Sequence, residues 1–136
     1  MSYMKPLPAP DPESAPFWNA CREHKLKIMK CTSCGKPRFP ATSFCPHCQS
    51  SDHEWVEASG TGKVFSWIVV RHPVPKDVYM EDVPYTVALV ELDEGVRMPT
   101  NIVDCAPEDV SANMRVQVKF RDVADEITLP VFAPVG

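Results

Sequence analysis

The sequence predicts a mainly β fold in which one N-terminal helix and a short cysteine-rich ribbon precede a small barrel. Proline accounts for 15 of the 136 residues, about twice its usual share of roughly 5%. So many prolines break helices and keep strands short. Four of the six cysteines fall in two C-x2-C pairs. The second half of the chain carries five segments of alternating apolar residues, the pattern of half-buried strands.

The overall composition is that of a folded globular chain, with 24% charged and 44% hydrophobic residues. No apolar run reaches the roughly 18 residues that a membrane span requires, and the N-terminal stretch MSYMKPLPAP lacks the apolar core of a secretory signal. We therefore expect a cytoplasmic chain without membrane association, in which the cysteines stay reduced. A net charge of -4 argues against binding nucleic acid through bulk electrostatics.

Residues 1–25 are predicted to form a flexible, proline-rich arm followed by a docking helix. Ser14 can serve as the N-cap, and Pro16 is tolerated in the first turn. Phe17 and Trp18 begin a partial apolar stripe. A helix of about ten residues is unstable alone, so we expect it to pack either on the rest of this chain or on another protein.

Residues 26–57 are predicted to form a rubredoxin-like ribbon that is stabilised by a metal. Its ligands would be Cys31, Cys34, Cys45 and Cys48, which are spaced C-x2-C-x10-C-x2-C. Two such pairs supply four sulfurs in a tetrahedron, the closed structural site that zinc prefers. Rubredoxin-type iron uses similar turns and remains the alternative. A closed four-sulfur site leaves no position for water or substrate, so the metal is predicted to be structural.

Residues 58–136 are predicted to form a five-stranded barrel. A tight turn at residues 93–95 joins the second and third strands, and residues 107–114 can form one or two helical turns between the third and fourth. This element order is that of the OB-fold, a small Greek-key barrel. The predicted strands are residues 63–71, 85–92, 96–104, 115–122 and 127–133.

The sequence contains no catalytic constellation that we can identify. It has no nucleophile elbow, phosphate-binding loop or dinucleotide fingerprint. The spare thiols, Cys21 and Cys105, are expected to be packing residues, since the acidic neighbours of Cys105 would raise its pKa. We therefore expect the chain not to be catalytic alone; an enzyme that uses His72 or Cys105 remains the alternative. The other histidines, expected to be solvated, are His24, His47 and His53.

Apolar residues around the first barrel loop indicate a candidate ligand surface, because OB-folds bind ligands on one barrel face and in inter-strand loops. The loop at residues 72–84 carries Tyr79 and Met80, and the strand before it carries Phe65 and Trp67. Phe65 and Trp67 have two interpretations. Either they fill the barrel core, or they form an apolar groove or interface, in which case they would bind a ligand together with Tyr79 and Met80.

Several short stretches in a fixed order give the chain a family resemblance. They are PFW at 16–18, SW at 66–67, PY at 84–85, ELDEG at 91–95 and LPVF at 129–132. Together with the paired cysteines, this order resembles a family of zinc-ribbon plus OB-fold proteins, formerly of unknown function, over nearly the whole chain. One departure is Asn113, which stands where many relatives have a glycine. Asparagine tolerates the left-handed backbone that a glycine would allow there.

The resemblance implies an accessory role in acyl-CoA metabolism. Members of the family are expected to work beside thiolases and thiolase-like enzymes, as subunits of hetero-oligomers that supply no catalytic residue. They would stabilise the partner and help to hold acyl-CoA. For this chain, the resemblance implies zinc on the four paired cysteines, a CoA thioester as a candidate ligand, and a partner contact near Phe17 and Trp18.

The alternative function is a single-stranded nucleic-acid-binding module, since OB-folds and zinc ribbons both serve that purpose. Such a module needs basic residues interleaved with aromatic ones. The ribbon offers a modest basic patch, but the barrel segments show no basic track. Nucleic acid is therefore an unlikely partner. The patch consists of Lys25, Lys27, Lys30, Lys36 and Arg38.

Overall fold

The computed structural model describes residues 5–73, 76–80 and 82–135. Its N-terminal part contains one helix and three short strands. These are α1 (Ala15–Arg22), β1 (Lys27–Cys31), β2 (Pro37–Arg38) and β3 (His53–Glu57). The second part contains five strands, a short helix and a 3-10 turn. These are β4 (Thr61–Val70), α2 (Lys76–Tyr79), β5 (Tyr85–Leu92), β6 (Arg97–Ile102), the 3-10 turn Pro107–Asp109, β7 (Arg115–Ala124) and β8 (Ile127–Pro134).

The strands form two sheets. The ribbon is a three-stranded antiparallel sheet in the order β2-β1-β3, and the other five strands close into a barrel in the order β4-β5-β6-β8-β7. The barrel closes where β7 pairs with β4, and β6 runs parallel to β8. With the 3-10 turn between β6 and β7, this is the OB-fold topology. The predicted fold class is confirmed.

Three local features of the barrel were expected from the sequence and a fourth was not. The turn at residues 93–95 and the helical turn after β6 were both expected, and Asn113 adopts the predicted left-handed backbone, with φ of 66°. Helix α2 was not expected, because the sequence of residues 72–84 indicated a loop. Val74, which the sequence placed in that loop, lies outside the described residues. Neither described helix has the length and apolar character that crossing a membrane would require.

Helix α1 is capped one turn earlier than the sequence suggested. The Asp11 carboxylate accepts a hydrogen bond from the Ser14 backbone N–H at 2.7 Å, and the Ser14 hydroxyl accepts one from the Asp11 N–H at 3.1 Å. This reciprocal arrangement is a capping box with Asp11 as the cap. The prediction that Ser14 caps the helix was therefore wrong, because the Ser14 backbone already has a helical conformation. The Ser14 N–H lowers the pKa of Asp11.

Helix α1 packs on the chain's own body, and its buried face completes a core that spans both sheets. Phe17 and Cys21 of α1 lie in the same buried cluster as Ile28 of the ribbon and Val64 and Phe132 of the barrel. Burying a large apolar side chain contributes about 1.5–3 kcal/mol, so this shared cluster holds the three parts together. The base of the ribbon is thus anchored in the barrel, not only at the cysteines.

Strand β4 carries a bulge that turns Phe65 out of the barrel. The β4–β5 pairing shifts register between Val64 and Ser66, which leaves Phe65 as the extra residue. Val64 is fully buried, whereas Phe65 is 46% exposed. Trp67, two residues further on, packs against the core. The core interpretation therefore holds for Trp67 and is wrong for Phe65, because alternation along the strand is interrupted between them.

A polar cluster ties the β5–β6 turn to the barrel seam. The Arg115 guanidinium donates to both oxygens of the Asp93 carboxylate, at 2.9 and 3.1 Å, and the Thr61 hydroxyl donates to the same group. These contacts join the turn to the first residues of β4 and β7. Hydrogen bonds from Arg115, and then from Thr61, lower the pKa of Asp93 to about 2.

This cluster predicts a loss of stability in acid. The unfolded pKa of Asp is about 3.9, and the folded value is about 2. The stabilisation is therefore complete above about pH 4 and is lost as the pH falls through 2. We expect urea midpoints of the wild type to fall more between pH 5 and pH 2.5 than those of Asp93→Asn. The control is Asp125→Asn, a change in an exposed turn, and equal losses in all three proteins would contradict the prediction.

Gly62 provides a second test of the barrel seam. A Cβ atom at this position would lie 2.4 Å from the Glu91 carbonyl oxygen and 3.0 Å from the Leu92 Cα. Because backbone atoms cannot move aside as a side chain can, Gly62→Ala should lower the free energy of unfolding by about 1–3 kcal/mol. Ser66→Ala, an exposed change on the same strand, should stay within about 0.5 kcal/mol. Equal urea midpoints for the two variants would contradict the close approach of Gly62 to the β5 backbone.

Candidate functional site

The four predicted cysteines come together at the tip of the ribbon. Their sulfur atoms all lie within 4.8 Å of one another. The Cys31–Cys48 and Cys34–Cys45 sulfur pairs are each 3.6 Å apart. A tetrahedral site with metal–sulfur bonds of about 2.3 Å has edges of about 3.8 Å. The donor set and its spacing therefore fit one structural zinc ion.

Two similar turns position the sulfurs. The Gly35 N–H donates to the Cys31 carbonyl at 2.9 Å, and the Gln49 N–H donates to the Cys45 carbonyl at 2.8 Å. Gly35 and Gln49 have positive φ angles of 80° and 66°, which close each turn tightly. Cys31 and Cys45 are buried, and the second cysteine of each pair is exposed. One side of the site thus faces the ribbon and the other faces solvent.

Backbone N–H groups favour the charged form of the buried thiols. The Cys34 N–H lies 3.4 Å from the Cys31 sulfur and lowers the pKa of that thiol. The His47 N–H lies 3.4 Å from the Cys45 sulfur. The His47 residue is exposed, as predicted. Since a metal ligand must be a thiolate, these contacts prepare the site for a cation.

The two remaining cysteines have the environment of packing residues. Cys21 is fully buried, and burial raises its pKa to about 12. Cys105 is half-buried, and burial, followed by the charge of Asp109, raises its pKa as well. A nucleophilic cysteine needs a lowered pKa, so that its thiolate form is populated.

His24 is exposed, as expected, but its ring also contacts the barrel. Its Nε2 atom lies 3.1 Å from an Asp122 carboxylate oxygen, and its ring stacks on Phe120 at 5.3 Å. The residue therefore links the segment after α1 to strand β7. The Thr128 hydroxyl and then His24 lower the pKa of Asp122. Sequence reasoning missed this contact because 98 residues separate the two partners.

Arg38 does not belong to the basic patch that the sequence indicated. Its side chain is only 5% exposed, because β2 pairs with β1 and turns it inward. Its Nη2 atom donates to the Thr42 carbonyl at 2.8 Å. The exposed basic residues of the patch are Lys25 and Lys36, while Lys27 and Lys30 are half-buried. The ribbon therefore presents a weaker cationic surface than the sequence suggested.

An apolar groove lies between α1 and the ribbon, with a volume of about 120 Å³. We call it the α1–ribbon groove. Phe17 is buried and meets Trp18 edge-to-face at 5.0 Å between ring centroids, and Phe39 at 5.4 Å. Trp18 is half-buried. The principal lining residues are Phe17, Trp18, Met29, Arg38, Phe39 and Trp55.

A second cavity of about 230 Å³ lies beside α2. We call it the α2 cavity. Of the four residues predicted to bind a ligand, only Tyr79 lines it; Met80 is 55% exposed and lies outside the lining, as do Phe65 and Trp67. Sequence reasoning missed Lys5 and Arg121, which no local pattern connects to the loop. Further lining residues include Asp82, Tyr85, Asn101 and Leu129.

The outer surface of β4 and β5 carries several apolar side chains around the exposed Ser66. Ile68, which is 62% exposed, pairs with Val87, and Ser66 pairs with Leu89. Paired residues of antiparallel strands share a face, so these side chains are neighbours. The Arg97 guanidinium lies 3.7 Å from the centroid of the exposed Phe65 ring. We define Phe65, Ile68, Val87 and Leu89 as the apolar β4–β5 face.

Removing the metal should disorder the ribbon tip and leave the barrel intact. The tip lacks a core of its own and depends on the ion, whereas the β1 residue Ile28 belongs to the shared core. In ¹H–¹⁵N spectra of the purified zinc protein, a chelator should remove the dispersed signals of residues 32–50 and retain those of the barrel. Unchanged spectra, or loss of all dispersed signals, would contradict this account.

Two cysteine variants test the same site by metal content. Cys48→Ala should lose stoichiometric zinc, because it removes one of the four sulfurs that lie together. Cys105→Ala, the matched control at a half-buried cysteine outside this cluster, should retain it. Elemental analysis of the two purified proteins makes the comparison.

Two family profiles match the chain in succession. The first describes the rubredoxin-like zinc ribbon domain of ChsH2 and matches residues 18–54. The second describes the C-terminal OB-fold domain of ChsH2 and matches residues 55–121.

Individual proteins show the same likeness. A DUF35 domain-containing scaffold protein of Methanocaldococcus jannaschii is 39% identical over 80% of this chain and 77% of its own length. A probable enoyl-CoA hydratase alpha subunit of Thermomonospora curvata is 42% identical over 96% of this chain, which spans only 40% of that protein. A solved chain described as Ltp2-ChsH2(DUF35) aldolase superposes with a TM-score of 0.84 at 42% identity, covering 93% of this chain and 98% of that one. The chain therefore belongs to the DUF35 family, whose members of the ChsH2 type join a rubredoxin-like zinc ribbon to an OB-fold domain.

Proposed function

We propose that this chain is a non-catalytic accessory subunit of a hetero-oligomeric enzyme that condenses or cleaves acyl-CoA substrates, with a thiolase-type subunit as its partner. Relatives described as scaffold proteins, as a hydratase alpha subunit and as part of an aldolase support an accessory role. The thiolase-type partner and the acyl-CoA substrate follow from the family resemblance. The role of the chain would be to stabilise the partner and to help hold the acyl-CoA.

The apolar β4–β5 face is the observation that carries the proposal. Monomeric soluble proteins rarely expose contiguous apolar patches larger than roughly a few hundred Å², and such patches often mark interaction sites. Here Phe65 and Ile68 are exposed on β4, and the half-buried Val87 and Leu89 of β5 lie opposite Ile68 and the exposed Ser66. Arg97 lies against the Phe65 ring at one border. An apolar centre with a charged border is the usual composition of a protein–protein interface.

The α1–ribbon groove offers a second contact with the partner. Trp18 is half-buried and reachable, while Phe17 is buried beneath it. Of the two residues that the resemblance placed near the partner, Trp18 would make the contact and Phe17 would support its ring. Tryptophan is among the residues that most often dominate interface energetics.

The α2 cavity is the best candidate for holding part of an acyl-CoA. Its volume of about 230 Å³ is below the roughly 300–1,000 Å³ of pockets that enclose a whole ligand. The cavity would therefore take only one portion of the CoA, and the partner would enclose the rest. Arg121 supplies a cation suited to a phosphate, and Tyr79 and Tyr85 supply aromatic surface.

Copurification from the source organism tests the proposal. A tagged chain should bring down one other subunit in a fixed ratio, measured by native mass spectrometry. Ile68→Lys should reduce the amount of that subunit at least about tenfold, because a charge placed in an apolar interface must be desolvated. Val135→Lys changes an equally apolar, 49% exposed residue outside the face and should have no effect. Recovery of the wild-type chain without any other subunit would overturn the proposal.

A further inference from the structure

A buried guanidinium at the α1–ribbon groove lacks most of its hydrogen bonds. Arg38 is 95% buried, since only 5% of its surface is exposed. Its Nη2 atom donates to the Thr42 carbonyl. Its Nε and Nη1 atoms are buried and find no hydrogen-bond partner among the described residues. A buried cation without a counter-charge costs free energy, so this residue destabilises the isolated chain unless something else satisfies it.

The surroundings of Arg38 are mostly apolar. Trp18, Met29, Phe39 and Trp55 line the groove with it, as does Ser14, whose hydroxyl accepts a hydrogen bond from the Asp11 N–H. The four apolar side chains cannot accept a strong hydrogen bond, and within the described part of the chain no carboxylate forms an ion pair with Arg38. The groove thus combines an apolar wall with one cation that is not neutralised.

We infer that the α1–ribbon groove binds an acidic side chain, Asp or Glu, that lies within an apolar segment of the partner subunit. The inference rests on the proposed accessory role and names the chemistry that the partner must present. A carboxylate offers two coplanar oxygens, which match the paired N–H groups of a guanidinium. The apolar neighbours of that acidic residue would pack on the aromatic wall. A volume of about 120 Å³ suits a single side chain and not a cofactor.

The carboxylate can reach Arg38 only if a covering side chain moves. Nε and Nη1 are both buried in the chain alone. Trp18 is the half-buried aromatic residue on α1, whereas the neighbouring Phe17 is buried. Phe39 and Trp55 are half-buried as well. Binding would therefore displace part of this aromatic wall and alter the surroundings of the Trp18 and Trp55 indoles, which both line the groove. Trp67, which packs in the barrel, would keep its surroundings and serve as an internal reference.

Peptide titration tests the inference without the partner. The probe is N-acetyl-Leu-Glu-Leu-amide, and the control is the same peptide with Gln, added to the ¹⁵N-labelled zinc protein at pH 7. The Glu peptide should shift the Trp18 and Trp55 indole N–H signals saturably and leave Trp67 unchanged. The Gln peptide should bind at least about tenfold more weakly, because it loses the charge-assisted pair. Equal binding of both peptides, or no binding, would show that the groove does not select a carboxylate and would overturn the inference.

Two variants provide a second test. Arg38→Met should abolish the shifts caused by the Glu peptide without lowering the thermal midpoint of the isolated chain, since it removes an unpaired buried charge. Arg22→Met, at an exposed position on α1, is the matched control and should bind the peptide normally. If Arg38→Met fails to fold, the comparison of Glu and Gln peptides on the wild type still tests whether the groove prefers a carboxylate. Undiminished binding by a folded Arg38→Met protein would contradict the inference.

Failure of this inference can be told apart from failure of the proposed function. If a partner subunit copurifies equally with wild-type and Arg38→Met chains, the groove inference is wrong and the accessory role stands. If the Glu peptide binds as expected but the chain copurifies with no other subunit, the carboxylate site stands and the accessory role is wrong.

Discussion

The shared apolar core is the constraint on which the rest of the structure depends. A ribbon of about thirty residues and an eight-residue helix are each too small to fold on their own. By burying Phe17 and Cys21 of α1 and Ile28 of β1 with Val64 and Phe132 of the barrel, the chain makes one folding body from three parts. We therefore expect the metal to stabilise only the ribbon tip, which has no apolar core of its own.

The packing of α1, the ribbon and the barrel on one core explains where the candidate binding surfaces lie. Where α1 packs on the ribbon, aromatic rings enclose a groove, and β2 turns Arg38 into it. Where β4 bulges, Phe65 leaves the barrel core and joins Ile68 on an outer face. Both surfaces are carried by elements that pack on the shared core. A partner that contacts the β4–β5 face would therefore meet strands already fixed in the barrel, which lowers the entropic cost of association. Binding in the α1–ribbon groove would in addition displace a covering side chain.

Much of the fold could be predicted because its signals are local. The cysteine spacing determines the metal site, and the alternation in residues 85–92 reappears as the inner and outer faces of β5. The features that were missed depend on distant partners. The burial of Arg38 follows from the pairing of β2 with β1, and the Phe65 bulge follows from register with β5. The contact of His24 with Asp122 joins residues that only the closed barrel brings together, and no local pattern encodes such contacts.

The most direct test of the account is to separate and recombine the subunits of the purified complex and to measure acyl-CoA turnover. The account predicts that this chain alone turns over no acyl-CoA, and that the partner loses stability or activity without it and recovers when it is added back. Turnover by this chain alone, or a partner that is equally active and equally stable without it, would contradict the account.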